Sequence, residues 1–266
     1  MIPEMDTAAL ARDLAGNRFG RRILHFHSLE STNDCALALL EEGEVEGTLV
    51  LAEEQTRGRG RRERTWYSPP RHGIYASLVL RPSLPVAFLP LVSFAGALGA
   101  ARHLGELGLS PVTLKWPNDL LLAGRKVGGF LAEARGGPAR PGVVVGLGLN
   151  VNQEETDFPP DLRSAATSLR TASGRLWDRD RLLAGILRLW EEEYDGLHVR
   201  GPEQLLRRFQ EFSEFSPGSC LEIETGAGRL SGRYAGVGSS GELLLDTGSA
   251  SLRAFHFAEV LRVREG

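Results

Sequence analysis

Apolar and polar residues alternate along several short segments of the chain, as they do in strands that have one covered face. The segments "RILHFHSL", "GTLVLAEEQ" and "GIYASLVLRP" show this pattern. Helical patterns lie between and beside them, a short one from Thr7 to Leu14 and a second, "CALALLEEG", that stops at Gly43. The run "PLVSFAGALGAARHLGELG" is rich in small and apolar residues, which indicates a buried helix. The first hundred residues therefore predict helices and strands mixed in one unit.

The middle of the chain predicts further strands joined by tight turns. In "VTLKWPNDLLLAGRKVGGFLAEA" we expect a strand, a turn at 117–119, a second strand, a turn at Gly124 and a third strand. "GVVVGLGLNVN" predicts a fully apolar strand that ends in asparagines, and the region from Asp178 to Phe212 has a helical period. From Pro217 onward, short alternating strands with glycine turns predict a small all-β, barrel-like unit. We expect two domains, 1–214 and 215–266.

Composition narrows the class of protein. The chain has 266 residues, a formal net charge of −3 and 42% hydrophobic residues, which suits a globular protein with a sizeable core. The two cysteines, Cys35 and Cys220, are far apart and lack neighbouring histidines, so we expect buried thiols in a reducing compartment. Neither a signal peptide nor a membrane span is predicted, and we expect a soluble cytoplasmic protein.

The segment "RGRGRR", residues 57–62, concentrates arginine and glycine in a chain that is not basic overall. Glycine allows close approach of the backbone to a ligand, and arginine offers planar bidentate donors to phosphate and carboxylate. Trp66 and Tyr67 follow the segment closely. Taken alone, the segment predicts a phosphate-contacting loop, a solvated loop or a nucleic-acid arm. The balance of 31 basic and 34 acidic residues weakens the last of these.

Two further segments place charged and amide groups on tight turns. In "KWPNDL", Lys115, Asn118 and Asp119 are either turn residues or a cation, an amide and a carboxylate that together hold a nucleotide or a magnesium ion. In "GRKVGGFLAEA", Lys126 precedes a glycine pair in an otherwise apolar strand. A lysine there is either a snorkelling edge residue or a partner for an anion.

The segment "GLGLNVN" is a weak signal by itself, because no helix follows it as the dinucleotide fingerprint requires. Asn150 and Asn152 would face the same side of the strand. They either contact a ligand or cap the strand end.

Arranged in order, S-T-N, E-x-Q-x-x-G-R-G-R-R-x-x-x-W, K-W-P-N-D, R-K-x-x-G and G-x-G-x-N make the chain resemble the biotin protein ligases (biotin–[acetyl-CoA-carboxylase] ligases) from about Phe26 to the C-terminus. The resemblance implies an α+β fold: a mixed β-sheet with flanking helices, similar to the class II aminoacyl-tRNA synthetase catalytic domain, plus a small C-terminal SH3-like β-barrel. What precedes Arg21 is too short for the winged helix-turn-helix of repressor-type members, so we expect the short, monofunctional form. Arg57 stands where family members often have alanine.

The resemblance also implies the reaction and its participants. Family members join the biotin carboxylate to the α-phosphate of ATP, which gives biotinyl-5′-AMP and pyrophosphate, and then transfer biotin to a lysine of a biotin carboxyl carrier protein domain. ATP, Mg²⁺ and biotin are the implied small molecules. We expect neither a DNA nor a membrane partner, and the sequence leaves a homodimer open.

The family's functional positions fall on residues of this chain. Lys126, Arg61 and Asp119 are the expected catalytic residues, with Lys126 between the two anions, and Asp119 is also the candidate metal ligand. The expected biotin-binding residues are Ser31, Thr32, Asn33, Gln55, Gly58, Arg59, Gly60, Arg61, Lys126, Gly128 and Gly129. The expected ATP-binding residues are Arg59, Arg61, Arg62, Trp66, Lys115, Asn118, Asp119, Lys126 and Asn150. His72 is expected to be structural or part of the biotin wall rather than an acid or base.

Three other functions compete with this one. A lipoate-type ligase uses the same adenylate chemistry, but the intact "GRGRR" and "KWPND" segments favour biotin. A DNA-binding regulator would use the basic segment on phosphates, and a biotin-binding module without activity would lack Lys126 or the arginines, which this chain has.

Overall fold

The computed structural model describes residues 2–136, 142–249, 251–256 and 258–264. A seven-stranded sheet forms its centre, in the order β1-β2-β3-β7-β6-β5-β4. The β1 and β2 strands are parallel and every other neighbouring pair in this sheet is antiparallel, which confirms the predicted mixed sheet. The strands are β1 (Arg22–Leu29), β2 (Thr48–Gln55), β3 (Gly73–Leu80), β4 (Val112–Lys115), β5 (Asp119–Leu122), β6 (Arg125–Arg135) and β7 (Gly142–Asn150).

Helices cover both faces of this sheet. They are α1 (Thr7–Asp13), α2 (Thr32–Glu41), α3 (Leu91–Glu106), α4 (Leu169–Ser173), α5 (Arg179–Arg200) and α6 (Pro202–Glu211). On one face, α2 packs its alanine and leucine side chains against valines of three strands. On the other face, α3 and α5 form the main core with the sheet, where Trp190 meets Phe130 edge to face with ring centroids 5.3 Å apart. Coverage of both faces explains why β7 is apolar along its length.

Close packing of α3 on α5 depends on small residues. A Cβ atom at Gly99 would lie 2.6 Å from the backbone nitrogen of Trp190, so only glycine lets the two helices approach this closely. The segment Val86–Glu106 is long and apolar enough, by length and composition alone, to cross a membrane. The prediction of no membrane span did not take this segment into account. Since 67% of its apolar window is buried, this segment has its partners within the protein.

The helical region from Asp178 to Phe212 consists of two helices. Asp178 caps α5 by accepting hydrogen bonds from the backbone of Asp180 and Arg181. Gly201, with φ of 82°, separates α5 from α6. The helical period persists across this break, so periodicity alone does not locate it.

A second sheet of five antiparallel strands follows, in the order β11-β10-β9-β8-β12. Its strands are β8 (Cys220–Thr225), β9 (Gly228–Val237), β10 (Leu243–Asp246), β11 (Arg253–Phe255) and β12 (Glu259–Arg264). This sheet is the C-terminal all-β unit expected from the sequence. The division at residues 214 and 215 stays a prediction.

The expectation of buried thiols is wrong. Cys35 and Cys220 are both free and both partly exposed. Partial burial nevertheless raises the pKa of the Cys35 thiol, with a smaller contribution in the same direction from Glu42.

Candidate active site

The start of α2 and the end of β2 meet in a buried hydrogen-bond network. Ser31 caps α2, accepting a hydrogen bond from the Asp34 backbone, and the side chains of Ser31, Thr32 and Asn33 are buried. The Thr32 amide and hydroxyl both donate to Gln55 Oε1, at 2.9 and 3.0 Å. These four predicted biotin-binding residues therefore lie together, as a cap motif and a strand end placed side by side.

The basic segment and the residues that follow it up to Trp66 form a loop between β2 and β3, here called the basic loop, that folds back on Gln55. At Gly58 a Cβ atom would lie 2.5 Å from the carbonyl oxygen of Trp66 and 2.8 Å from Ser68 Oγ, so glycine is required for this close approach. Gly60 donates to the carbonyl of Arg64 at 2.7 Å, and a single 3₁₀ turn spans Arg61–Glu63. The loop is thus a compact turn that brings Trp66 back toward its own start.

Trp66 lies against the central strand of the sheet. A Cβ atom at Gly148 of β7 would come within 2.5 Å of Trp66 Cε2, so the indole ring occupies the space that a side chain would fill. Lys126 Nζ lies 5.4 Å from the ring centroid. Within the part of the chain that the structure describes, the buried Trp66 Nε1 has no hydrogen-bond partner.

Lys126 is paired with the predicted catalytic carboxylate. Its Nζ lies 2.6 Å from Asp119 Oδ1, with the two side chains 36% and 27% exposed. Lys115 is opposite Asp119 in the β4–β5 register, and its side chain makes no hydrogen bond or ion pair with a described residue. Lys115 and Lys126 are the only lysines in the sequence. The turn at 116–118 thus places Lys115 and Asp119 at one end of the hairpin, and the Lys126 side chain reaches the same carboxylate from β6.

Arg61 faces the same turn. Its guanidinium lies 5.9 Å from the Trp116 ring centroid. Burial lowers the pKa of Arg61 from its ordinary value, against the attraction of Asp119, and the neighbouring Arg62 lowers it further. A cation that is partly stripped of water and close to a second cationic side chain favours an anion at this position.

Gly128 and Gly129 lie where β6 passes the Asp119 strand and β7. A Cβ atom at Gly128 would lie 3.0 Å from the carbonyl oxygen of Gly148, which is tighter than an ordinary contact. At Gly129 the nearest atoms, which include Asp119 Oδ1 and Lys126 Cε, would lie at 3.5 Å. Of the pair, Gly128 is the position where a side chain would be crowded by the protein itself.

Two predicted ATP-binding asparagines are engaged within the protein. Asn118 donates its side-chain amide to the carbonyl of Phe130, and the backbone of the same two residues is joined by a 3.0 Å bond. Asn150 is buried, donates to the carbonyl of Thr167 at 3.0 Å and accepts from Gln153 Nε2 at 3.3 Å. Both act as braces for the backbone around the site, and a direct contact with ATP stays a prediction.

Sequence reasoning assigned nothing to residues 153–168, yet this segment borders Lys126. The Lys126 amide donates to the carbonyl of Ala165 at 2.9 Å, and the Thr167 amide donates to the carbonyl of Lys126 at 2.8 Å. No periodic pattern marks this stretch, since it is mostly turn and irregular chain. The signal in the sequence for this neighbour was the pair of asparagines that ends the β7 segment, because Asn150 holds Thr167.

The C-terminal sheet also contacts the basic loop. Arg62, with φ of 55°, points its guanidinium to Glu259 at 3.3 Å and to the carbonyl of Glu224 at 3.2 Å, and Arg64 lies 2.6 Å from Glu259. Trp116 Nε1 donates to the carbonyl of Gly241 at 2.8 Å. Arg62, a predicted ATP-binding residue, is therefore directed toward the C-terminal unit.

His72 sits at the entry to β3. Its Nδ1 lies 2.8 Å from the carbonyl of Pro70, and its backbone carbonyl accepts from Asn152 at 2.7 Å. These contacts fit the expected structural role. Arg57 pairs with Glu30 at 3.2 Å in an exposed position outside this cluster.

Comparison with known proteins adds an independent line of evidence. Residues 25–150 match the model of the biotin/lipoate A/B protein ligase family. The biotin–[acetyl-CoA-carboxylase] ligase of Mycobacterium tuberculosis is 33% identical over 257 residues, covering 94% of this chain and 93% of the relative. The bifunctional ligase/repressor BirA of Bacillus subtilis is 34% identical over 229 residues, covering 86% of this chain and 70% of the relative.

Among solved structures, the biotin protein ligase from Aquifex aeolicus in complex with biotin and ATP superposes with a TM-score of 0.78 at 27% identity. The match covers 92% of this chain and all of that one. Together with the sheet order, the placement of the basic loop and the sequence relatives, it shows that the chain belongs to the biotin protein ligase family.

Proposed function

We propose that this protein is an ATP-dependent biotin protein ligase, which makes biotinyl-5′-AMP and transfers biotin to a lysine of a carrier domain. The observation that supports it most is the juxtaposition of a largely buried hydrogen-bond network with a cationic cluster. Thr32 and Gln55 belong to this network and form the proposed pocket wall for biotin, and the basic loop joins it to Lys126 and Arg61. An uncharged polar ring system with a carboxylate tail fits such a site at both ends.

The first step must bring two anions together. The biotin carboxylate oxygen forms a bond to the α-phosphorus of ATP, and the bond to the β-phosphate oxygen breaks, releasing pyrophosphate. Fixed cations offset the repulsion and stabilise the charge that develops at phosphorus. Lys126 Nζ and the partly buried Arg61 guanidinium supply these cations, and Asp119 orients Nζ before the substrates arrive.

In the second step, the acceptor amine attacks the acyl carbon of the mixed anhydride and AMP leaves with the bonding electrons. The amine must lose a proton, and Asp119 is the carboxylate of the cluster that could orient it. Water competes with the amine for the anhydride. We propose that the loop from Gly58 to Trp66, a compact turn beside Gln55, covers the intermediate and excludes water.

The residues of the site fit a magnesium ion that arrives with the triphosphate. Within the described ranges, no group of three or more histidine, cysteine, aspartate or glutamate side chains could hold a metal ion. Mg²⁺ commonly uses one or two carboxylates together with substrate phosphates, and Asp119 would be that carboxylate. When bound, Mg²⁺ neutralises charge on the phosphates.

The test is biotin-dependent exchange of pyrophosphate into ATP, followed by transfer to a carrier domain in the presence of magnesium. We expect exchange with biotin, no exchange with lipoate, and a mass increase on one carrier lysine. Exchange driven by lipoate instead would reassign the substrate. No exchange with either acid would overturn the adenylation proposal.

A further inference from the structure

The side chain of Arg59 is held by two carboxylates of the protein. Its Nη2 lies 2.7 Å from Asp34 Oδ1 and 2.6 Å from Glu133 Oε2. Arg59 is 38% exposed, whereas Glu133, on β6, is only 20% exposed. A guanidinium that already meets two carboxylates has fewer donors and less net charge to offer to a triphosphate. The position therefore suits an anchor better than a phosphate ligand.

Glu133 also holds Asn33. The Asn33 Nδ2 donates to Glu133 Oε2 at 2.8 Å and to the carbonyl of Leu131 at 3.3 Å. On its other side, Asn33 Oδ1 lies 2.6 Å from Ser77 Oγ. It fills the space over Gly146, where a Cβ atom would come within 2.2 Å. The Asn33 amide is buried and fully engaged, so it positions its neighbours rather than presenting itself to biotin.

From Asn33 the network continues to the pocket wall and back to the loop. Ser77 Oγ lies 2.8 Å from Thr32 Oγ1, and Thr32 donates to Gln55. Gln55 Nε2 donates to Ser68 Oγ at 3.0 Å, and Ser68 donates to the carbonyl of Trp66 at 3.1 Å. One connected set of polar groups thus reaches both ends of the basic loop, Arg59 at its start and Trp66 at its end.

We propose that Glu133 is a positioning residue that sets the basic loop against the pocket wall, by holding Arg59 and Asn33 on one carboxylate oxygen, and that Arg59 acts through Glu133 rather than on the phosphates. This inference rests on the proposed function. It assigns the loop's start to a carboxylate anchor, and leaves direct contact with the reacting groups to Arg61 and Lys126.

A double-mutant cycle tests the coupling. Arg59→Gln, Glu133→Gln and the double variant are compared by the dissociation rate of biotinyl-5′-AMP and by the KM values for biotin and ATP. We expect each single variant to release the intermediate up to about fivefold faster, as suits a partly exposed ion pair. The double variant should match the singles, because both remove the same interaction.

Two outcomes would overturn the inference. In the first, the fold-change in the dissociation rate of biotinyl-5′-AMP in the double variant equals the product of the fold-changes in the two single variants. The other is a large rise in the KM for ATP in Arg59→Gln that Glu133→Gln does not share, which would place Arg59 on the phosphates. Arg57→Gln is the matched control, since Arg57 forms an exposed pair with Glu30 beside the same loop, and it should behave as the unchanged protein.

A comparison of Glu133→Ala with Glu133→Gln tests the link to Asn33. Glutamine keeps an oxygen that can accept from Asn33, whereas alanine leaves the buried amide without that partner. We expect Glu133→Ala to raise the KM for biotin several-fold more than Glu133→Gln, with kcat changed alike in both. Equal KM values would contradict the link, and the melting temperature of each variant shows whether the fold is retained.

The pyrophosphate exchange assay on the wild-type protein distinguishes a failure of this inference from a failure of the proposed function. If it shows no biotin-dependent exchange, the function fails. If it shows exchange while the cycle is additive, only the role of Glu133 fails.

Discussion

The charged side chain of Lys126 is half-buried. A carboxylate lies on one side of its ammonium group and an aromatic face on the other. Such a lysine is held in place before any substrate is present, so its charge need not be reorganised when phosphate charge develops. The glycine pair beside it keeps this strand free of competing side chains.

Replacement of Lys126 by methionine should remove the charge and keep most of the packing on Trp66. We expect the rate of adenylate formation to fall by about 100-fold to 1,000-fold, measured by pyrophosphate exchange, with little change in melting temperature. Arg125→Ala, at the neighbouring partly buried position, serves as the control for effects on the strand. Near-normal exchange in Lys126→Met would exclude the role.

Arg61 belongs to the same cluster but acts from the loop. Arg61→Gly would remove a charged donor and the contact with Trp116, and add a flexible residue to a loop that already has two glycines. We therefore expect biotinyl-5′-AMP to leave about tenfold faster, measured by chase of the labelled intermediate. An unchanged dissociation rate would argue against a clamp.

Residue types were sufficient to pick out polar groups of the candidate site but not their partners within the protein. "GRGRR" and "KWPND" identify Arg59 and Asn118 as special. They do not reveal that Arg59 meets Asp34 and Glu133, or that Asn118 braces Phe130, because those partners come from other strands and helices. Pairing of distant side chains depends on register, which local pattern does not contain.

Strand β7 supports the site through what it lacks. Its glycines leave room for two side chains from elsewhere, Asn33 over Gly146 and Trp66 over Gly148. The apolar side chains of this strand therefore build the core, and its glycines leave space for Asn33 and Trp66. The sequence predicted an apolar strand here, but not that its glycines make room for side chains from other parts of the chain.

Gly148→Ala should displace the Trp66 ring, since the new methyl group would lie far inside contact distance. Because Trp66 ends the loop, we expect kcat/KM for biotin activation to fall by about tenfold to 100-fold while the fold persists. Gly105→Ala is the control, because a Cβ atom there meets nothing within 4 Å, and alanine favours the helix. Equal activity in both variants would contradict the contact.

The order of elements was predictable in outline because each has a strong local signal. The turn at Gly124 and the start of the helical region at Asp178 appear where expected. The irregular stretch before α4 did not have such a signal. Its position comes from long-range hydrogen bonds to Lys126 and Asn150, which no local pattern can show.

Across the whole molecule, one buried charge cluster joins four parts of the chain. Glu53 of β2 accepts from His25 of β1 at 2.9 Å and from the backbone of Met5 at 2.7 Å, and it lies 2.9 Å from Arg179 at the start of α5. Arg179 also donates to the carbonyls of Pro3 and Gly73. Burial raises the pKa of Glu53, but these hydrogen bonds and the Arg179 charge outweigh it and lower the pKa to about 2.

This cluster predicts a pH-dependent part of the stability. Because the pKa of Glu53 is about 2 in the folded protein and about 4.5 in the unfolded chain, its contribution of about 3 kcal/mol is present above pH 4.5 and is lost as the pH falls toward 2. We expect Glu53→Gln to lower the free energy of unfolding at pH 7 by about 3 to 5 kcal/mol, since Arg179 loses its buried partner.

The measurement is urea unfolding of the wild-type chain and the variant at pH 7 and pH 3. The difference between them should shrink at the lower pH. Glu30→Gln, in an exposed pair, should show no such convergence. A difference that is independent of pH would mean that Glu53 is not ionised in the folded protein.

The two lysines near Asp119, Lys115 on β4 and Lys126 on β6, have a chemical consequence beyond catalysis. Biotinyl-5′-AMP is an acylating agent, and side-chain amines are its natural targets. Every other basic residue among the 31 is arginine, whose guanidinium keeps its proton at neutral pH and is a poor nucleophile. The enzyme's own surface therefore offers the activated acid almost nothing to label. Any stray self-modification should map to Lys115, whose amine has no partner among the described residues, before it maps to the paired Lys126.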